Sequence, residues 1–140
     1  MESTTLIQCV VPGQPVPKAR PRFSSRSGAA YTPKRTKEYE KHIKLFLKQT
    51  TTLHNVTGAV HVTLNIVFKR PKYMQHHKYP DGLVLHTKRP DLDNVIKAVL
   101  DALNSVLNDD AQVAKITATK YYAEKFSTPR TEITVSTLPL

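Results

Sequence analysis

The chain is short of three things: cysteine, acidic residues and long apolar runs. Cys9 is the only cysteine in 140 residues. No intrachain disulfide can form, which fits a reducing, cytoplasmic setting. Its neighbours Ile7, Val10 and Val11 make it a small core residue rather than a nucleophile. With one cysteine and no paired ligand spacing, His76, His77 and His86 do not make a zinc site. No stretch approaches the ~20 apolar residues of a membrane span. The opening Met-Glu-Ser-Thr-Thr does not read as a signal peptide. No amphipathic basic helix or lipidation signal points to an anionic membrane surface. Asp and Glu number 11 against 21 Lys and Arg, a formal net charge of +10. That imbalance predicts affinity for a polyanion, nucleic acid first.

What is present is ordinary in amount. Hydrophobic residues make up 39% and charged residues 23%, as in a soluble globular chain. A chain of 140 residues can bury a real core as one domain. Neither a repeat nor a domain boundary is evident, so residues 1–140 are read as a single unit.

Residues 4 to 11 are apolar and β-branched, and predict a strand. Residues 12 to 34 hold Pro12, Pro15, Pro17, Pro21 and Pro33 together with Lys18, Arg20, Arg22, Arg26 and Lys34. They predict a long basic loop, and loops of that length in compact domains are usually functional or mobile. Thr32-Pro33 then opens a helix, with a hydroxyl N-cap and a first-turn proline. Tyr39, Ile43, Phe46 and Leu47 carry its stripe to about Gln49. Gly58 to Phe68 alternates, as a strand with one buried face does. Residues 69 to 90 read as a second loop, rich in Lys and His. Leu92, Val95, Ile96, Val99, Leu100, Leu103 and Val106 form the strongest helical stripe in the chain. Residues 112 to 122 and 130 to 137 predict two final strands paired as a hairpin. The order β-α-β-α-β-β predicts an α+β domain, with a small mixed sheet and two amphipathic helices.

Five of the eleven acidic residues, Asp91, Asp93, Asp101, Asp109 and Asp110, crowd into the second helix and the break after it. Clustered carboxylates repel one another and favour a cation. The bland alternative is a solvated helix face followed by a polar turn. Asp93, Lys97 and Asp101 are spaced i, i+4 and i+8, and Asp93 to Lys97 is the favourable order for a helical ion pair. In an ideal helix Asp91 lies about 200° from Asp93. The two converge only if Asp91 takes the non-helical cap position that Pro90 makes available. Capping alone would also account for Asp91. Asp109 and Asp110 fall near the negative end of a helix running to about Leu107, the wrong place for carboxylates.

The run Pro90-Asp91-Leu92-Asp93-Asn94-Val95-Ile96-Lys97-Ala98, then Asp101-Ala102-Leu103, then Asp109-Asp110-Ala111-Gln112-Val113, closely resembles the RusA family of Holliday-junction resolvases. Gly13-Gln14-Pro15-Val16-Pro17-Lys18-Ala19-Arg20-Pro21-Arg22 and Tyr31-Thr32-Pro33 resemble that family's opening. The resemblance implies a bacterial or phage-encoded homodimer that binds four-way DNA junctions and nicks two opposing strands, using Mg2+ or Mn2+. It implies Asp91, Asp93 and Asp110 as the essential, metal-holding carboxylates and Lys97 as the essential lysine. Asp101 and Asp109 match acidic positions of less certain role. The insert around Met74 to Leu85 is longer than in the shortest members.

The chemistry is consistent with the residues. Mg2+ takes oxygen ligands and keeps several waters. An ammonium one turn beyond Asp93 can stabilise charge growing on the phosphoryl group, or orient the water. Lys18, Arg20, Arg22 and Arg26 are expected to contact phosphates. Phe23 and Tyr31 either stack on exposed bases or pack in the core. Lys69, Arg70, Lys72, Lys78, Lys88 and Arg89 form a second candidate surface, with Lys88 and Arg89 adjoining the site. Two rivals remain: a nucleic-acid-binding module without catalysis, and a metal-dependent nuclease for other branched or single-stranded DNA.

Overall fold

The computed structural model describes residues 3–139, except Pro21, Thr32 and the side chains of Arg22 and Tyr31. Five strands form one mixed sheet in the order β1-β7-β4-β6-β5. These are β1 (Thr5–Pro12), β4 (Val60–Phe68), β5 (Val84–Leu85), β6 (Val113–Tyr122) and β7 (Arg130–Thr137). A separate two-stranded ribbon, β2 (Arg22–Phe23) with β3 (Ala30–Tyr31), projects from the first loop. Helices α1 (Lys34–Thr50) and α2 (Leu92–Leu103) complete the α+β arrangement.

The alternation in β4 decides which face of the sheet is covered. Val60, Val62, Leu64, Ile66 and Phe68 are all buried. Across the ladder Leu64 meets Ile133 of β7, and Ile133 meets Cys9 of β1. Ile43 and Leu47 of α1 and Val95, Val99 and Leu103 of α2 join the same cluster. Cys9 is therefore a core residue. The opposite face carries Thr63, Asn65, Thr117, Glu132 and Thr134 and, among the described residues, has no helix over it.

Three local expectations are corrected. The last two strands are not a hairpin: β4 lies between them, antiparallel to β7 and parallel to β6. A parallel pair requires a crossover, and α2 supplies it. β7 goes to the middle because Thr131, Ile133 and Val135 all face the core. Helix α2 stops at Leu103 rather than near Leu107. Val106 and Leu107 prolong the apolar spacing but are buried by bridging to Val56 in the loop before β4. Asp109 and Asp110 thus lie beyond a break in the helix, not on its dipole. The expected cap of α1, Thr32, lies outside the described residues, and Pro33 occupies the N-cap position rather than the first turn.

Arg70 is corrected as well. It was expected on a basic surface, yet it is 2% exposed. Its guanidinium donates to the carbonyls of Ala123, Met74, Pro80 and Gly82. A fork with five donors suits four converging carbonyls, so Arg70 holds the 71–85 insert against the end of β6. Arg70→Ala strands those carbonyls and is expected to lower unfolding free energy by roughly 3 kcal/mol or more. Urea denaturation measures that loss, and limited proteolysis should show new cuts in the insert.

Candidate active site

The parallel strands β4 and β6 end beside the start of α2, and there an open cleft of about 1190 Å3 lies. Such crevices beyond the carboxyl ends of strands are where open sheets usually present chemistry. Phe68, His86 and Tyr122 line its floor. The His86 ring stacks on Tyr122 at 4.1 Å and leans on Phe68 at 4.7 Å. Burial, and then the Lys120 charge, push the His86 pKa down and favour the neutral ring. Its Nδ1 accepts from the Lys88 N–H.

Asp91 and Asp93 stand on one wall with Lys97. Asp91 holds the N-cap position with extended backbone, φ −66° and ψ 141°, and its side chain makes no cap hydrogen bond. Its carbonyl, not its carboxylate, accepts from the Asn94 N–H. The carboxylate is exposed and has no hydrogen-bond or ion-pair partner among the described residues, so capping does not account for an acid here. Asp93 lies in the first turn, 3.9 Å from Lys97 Nζ. Both carboxylates are favoured by the helix dipole. Being off the helix, Asp91 can share a cleft with Asp93, which ideal helical geometry would forbid.

The cleft is also cationic, with Arg20, Arg35, Lys69 and Arg89 among its lining. The loop bearing Arg20 is bolted in place from both helices. The Lys18 N–H donates to Asn94 O, the Ala19 N–H to Thr36 Oγ1, and Thr36 Oγ1 to Pro17 O. Lys18, expected at a DNA phosphate, spends its ammonium on Glu40 at 2.8 Å and Asp101 at 3.0 Å. Burial opposes its charge, but those two partners outweigh it and hold the pKa above that of an ordinary lysine. This also gives Asp101 a role: it ties α2 to the first loop.

Of the remaining expected phosphate contacts, Arg26 is exposed in the turn of the β2–β3 ribbon, outside the cleft. The side chain of Arg22 lies outside the described residues. Lys88 is exposed, its ammonium 5.9 Å from the centre of the Tyr73 ring. Phe23 is 75% exposed on the same ribbon, so it is not a core residue.

Asp110 is elsewhere. The chain leaves the cleft down α2, turns through residues 104–112 and returns along β6. Tyr122, at the far end of β6, lines the cleft. Nine strand steps from Val113 to Tyr122 separate Asp110 from the cleft by about 30 Å. Among the described residues no three His, Cys, Asp or Glu side chains gather to hold a metal. The Asp-Asp-Ala-Gln turn is a scaffold of its own. Asp109 accepts from the Ala111 N–H, and the Gln112 side chain accepts from the Asp109 N–H and donates to Val56 O and Gly58 O. The Ala111 N–H holds the Asp109 carboxyl below the usual carboxylate range. Asp109 is thus a cap, and Asp110 is presented to solvent.

Lys120 escaped the sequence reading. Its ammonium donates to the carbonyls of Lys88 and, at 2.6 Å, Pro90, the residues that lead into Asp91. The available signal was its register: it pairs with Ile66, so it points inward where Ile116 and Tyr122 do. A lysine in an inward register breaks the strand pattern and marks a special task. Lys120→Met removes both donations and is expected to free the segment that presents Asp91, seen as faster amide exchange over residues 88–91. Lys120→Arg should restore part of the protection.

The sequence profile of the family described as Endodeoxyribonuclease RusA matches residues 12–136. The uncharacterized protein YqaN of Bacillus subtilis (strain 168) is 32% identical over 137 residues, covering 92% of this chain and 94% of that protein. The match runs through the first loop, the cleft and the turn that carries Asp110, and the chain belongs to the RusA endodeoxyribonuclease family.

Proposed function

We propose that this protein is a divalent-metal-dependent endonuclease that resolves four-way DNA junctions as a homodimer, by paired symmetric nicks, in recombination and repair. The observation that carries the reading is the cleft itself: two exposed carboxylates and a lysine share it with four further cations. Asp91 and Asp93 supply hard oxygen donors, and Mg2+ is commonly held by one or two carboxylates together with substrate phosphate and water. When bound there, such an ion lowers the pKa of water and polarises the phosphoryl oxygen. Arg20, Arg35 and Arg89 would hold the phosphate backbone, and Lys97 would meet the negative charge that develops during cleavage.

The distance to Asp110 supports a shared site. Helix α2 does end early, yet the turn leaves Asp110 at the wrong end of β6. A two-fold partner brings it back. Strand β5 covers β6 only at Tyr121 and Tyr122. Among the described residues the Val113–Thr119 edge has no strand beside it. Two copies of β6 paired antiparallel about Ile116 and Thr117 would align Val113 of one chain with Lys120 of the other. Asp110 would then project toward the other chain's Asp91 and Asp93. Ile116, 40% exposed on the helix side of the sheet, would be covered. A two-fold pairing makes two equivalent sites, one for each opposing strand.

The test is cleavage of a panel of four-way, forked, duplex and single-stranded DNAs with Mg2+, with Mn2+ and with a chelator. Metal-dependent paired nicks in four-way junctions are expected. Junction binding without cleavage in any metal would favour a binding module, and preferential cutting of flaps or single strands would favour a different nuclease.

A further inference from the structure

Helix α1 carries a cationic row that the cleft does not use. Lys34, Lys37, Lys41, Lys44 and Lys48 recur at steps of three and four, and all are exposed. At 3.6 residues per turn they fall within about 80° of one another. Tyr39, Ile43 and Leu47 occupy the buried side of the same helix. The expectation of no amphipathic basic helix is therefore corrected. Like charges three and four residues apart destabilise a helix. Among the described residues only Lys34 has an acidic partner, Glu38 at 3.8 Å. Glu40 borders the row near Lys37 and Lys44, but its carboxylate is committed to Lys18. A costly row in which only Lys34 has a partner calls for an external anion.

We propose that this row is a docking surface for a duplex arm of the DNA whose branch point occupies the cleft, an inference that rests on the DNA reading of the cleft. From Lys34 to Lys48 the row is about 21 Å long at 1.5 Å per residue. That length matches about six base pairs, with one phosphate charge per ~1.7 Å of duplex axis. The row also begins one residue from the cleft, because Arg35, next to Lys34 in the chain, lines it. A membrane fits less well: the apolar side of α1 is consumed by the core, which leaves nothing to insert.

The experiment compares junctions with arms of about 4 base pairs, closed by hairpin loops and too short to reach along the row, and of about 20 base pairs, bound in the presence of chelator across a salt series. The variant is Lys37→Gln/Lys41→Gln/Lys44→Gln; glutamine keeps the helix propensity of lysine. Wild type is expected to bind the long-armed junction at least tenfold more tightly. The variant should lose that gain and show a salt slope shallower by about 2 to 3, while short-armed binding and cleavage stay unchanged. The Lys→Arg triple variant should restore the gain. Retention of the full arm-length gain and slope by the glutamine variant would overturn the proposal. So would a defect confined to anionic vesicles. If wild type cuts no junction, the proposed activity fails, but the arm-length comparison still reports on the row.

Discussion

Asp91→Asn, Asp93→Asn and Asp110→Asn are each expected to abolish junction cleavage, by about 1000-fold or more, because each removes a charged oxygen donor from metal-assisted hydrolysis. The three should not fail by unfolding. All three residues are exposed, none has a side chain in the core, and Asp91 does not cap α2 with its carboxylate. Binding is expected to stay intact or tighten, since a neutral amide no longer repels phosphate. Quantitative cleavage beside gel-shift titration gives both numbers. Asp109→Asn and Asp101→Asn serve as contrasts. Asp109 caps a turn and Asp101 tethers Lys18, so their losses should appear first in stability. Wild-type turnover by Asp93→Asn would remove that residue from the site.

Lys97→Ala carries the second large effect. Its ammonium is exposed and its ion pair with Asp93, at 3.9 Å, contributes little to folding. It stands in the cleft with both carboxylates. Losing a charge that acts mainly in the transition state lowers turnover by about 100- to 1000-fold with little change in junction affinity. An interaction made equally in the ground state would instead weaken binding and spare the single-turnover rate. That second pattern would make Lys97 an ordinary phosphate contact.

The parts of the fold that were legible obey local rules. The alternation of Val60 to Phe68 requires a half-buried strand, and the stripe from Leu92 to Leu103 requires a buried helix face. The cap position of Asp91 followed from Pro90 and from the angular conflict with Asp93. What escaped depends on contacts between distant segments. Val106 and Leu107 keep helical spacing, but Val56 competes for them, and only the tertiary fold decides. The place of β7 between β1 and β4 is a matter of which strand best fills both neighbours, not of sequence adjacency. Arg70 and Lys120 look like two more cations in a basic chain; what distinguishes them is the set of carbonyls that converge on each. Lys18 could not be told from Arg20 until Glu40 and Asp101 were found beside it. The lysines of α1 are readable on a helical wheel, because steps of three and four need no tertiary contact to define a face.

The proposed shared site joins Asp91 and Asp93 of one subunit with Asp110 of its partner. It is tested most directly by mixing inactive Asp91→Asn and Asp110→Asn subunits under exchange conditions and assaying a four-way junction with Mg2+. In the mixed dimer, one site combines the intact Asp91 of the Asp110→Asn chain with the intact Asp110 of the other chain. One strand should then be nicked, while neither parent alone is active. Sites built within single chains would all be damaged, and a mixture that exchanges subunits yet stays inactive would contradict the account.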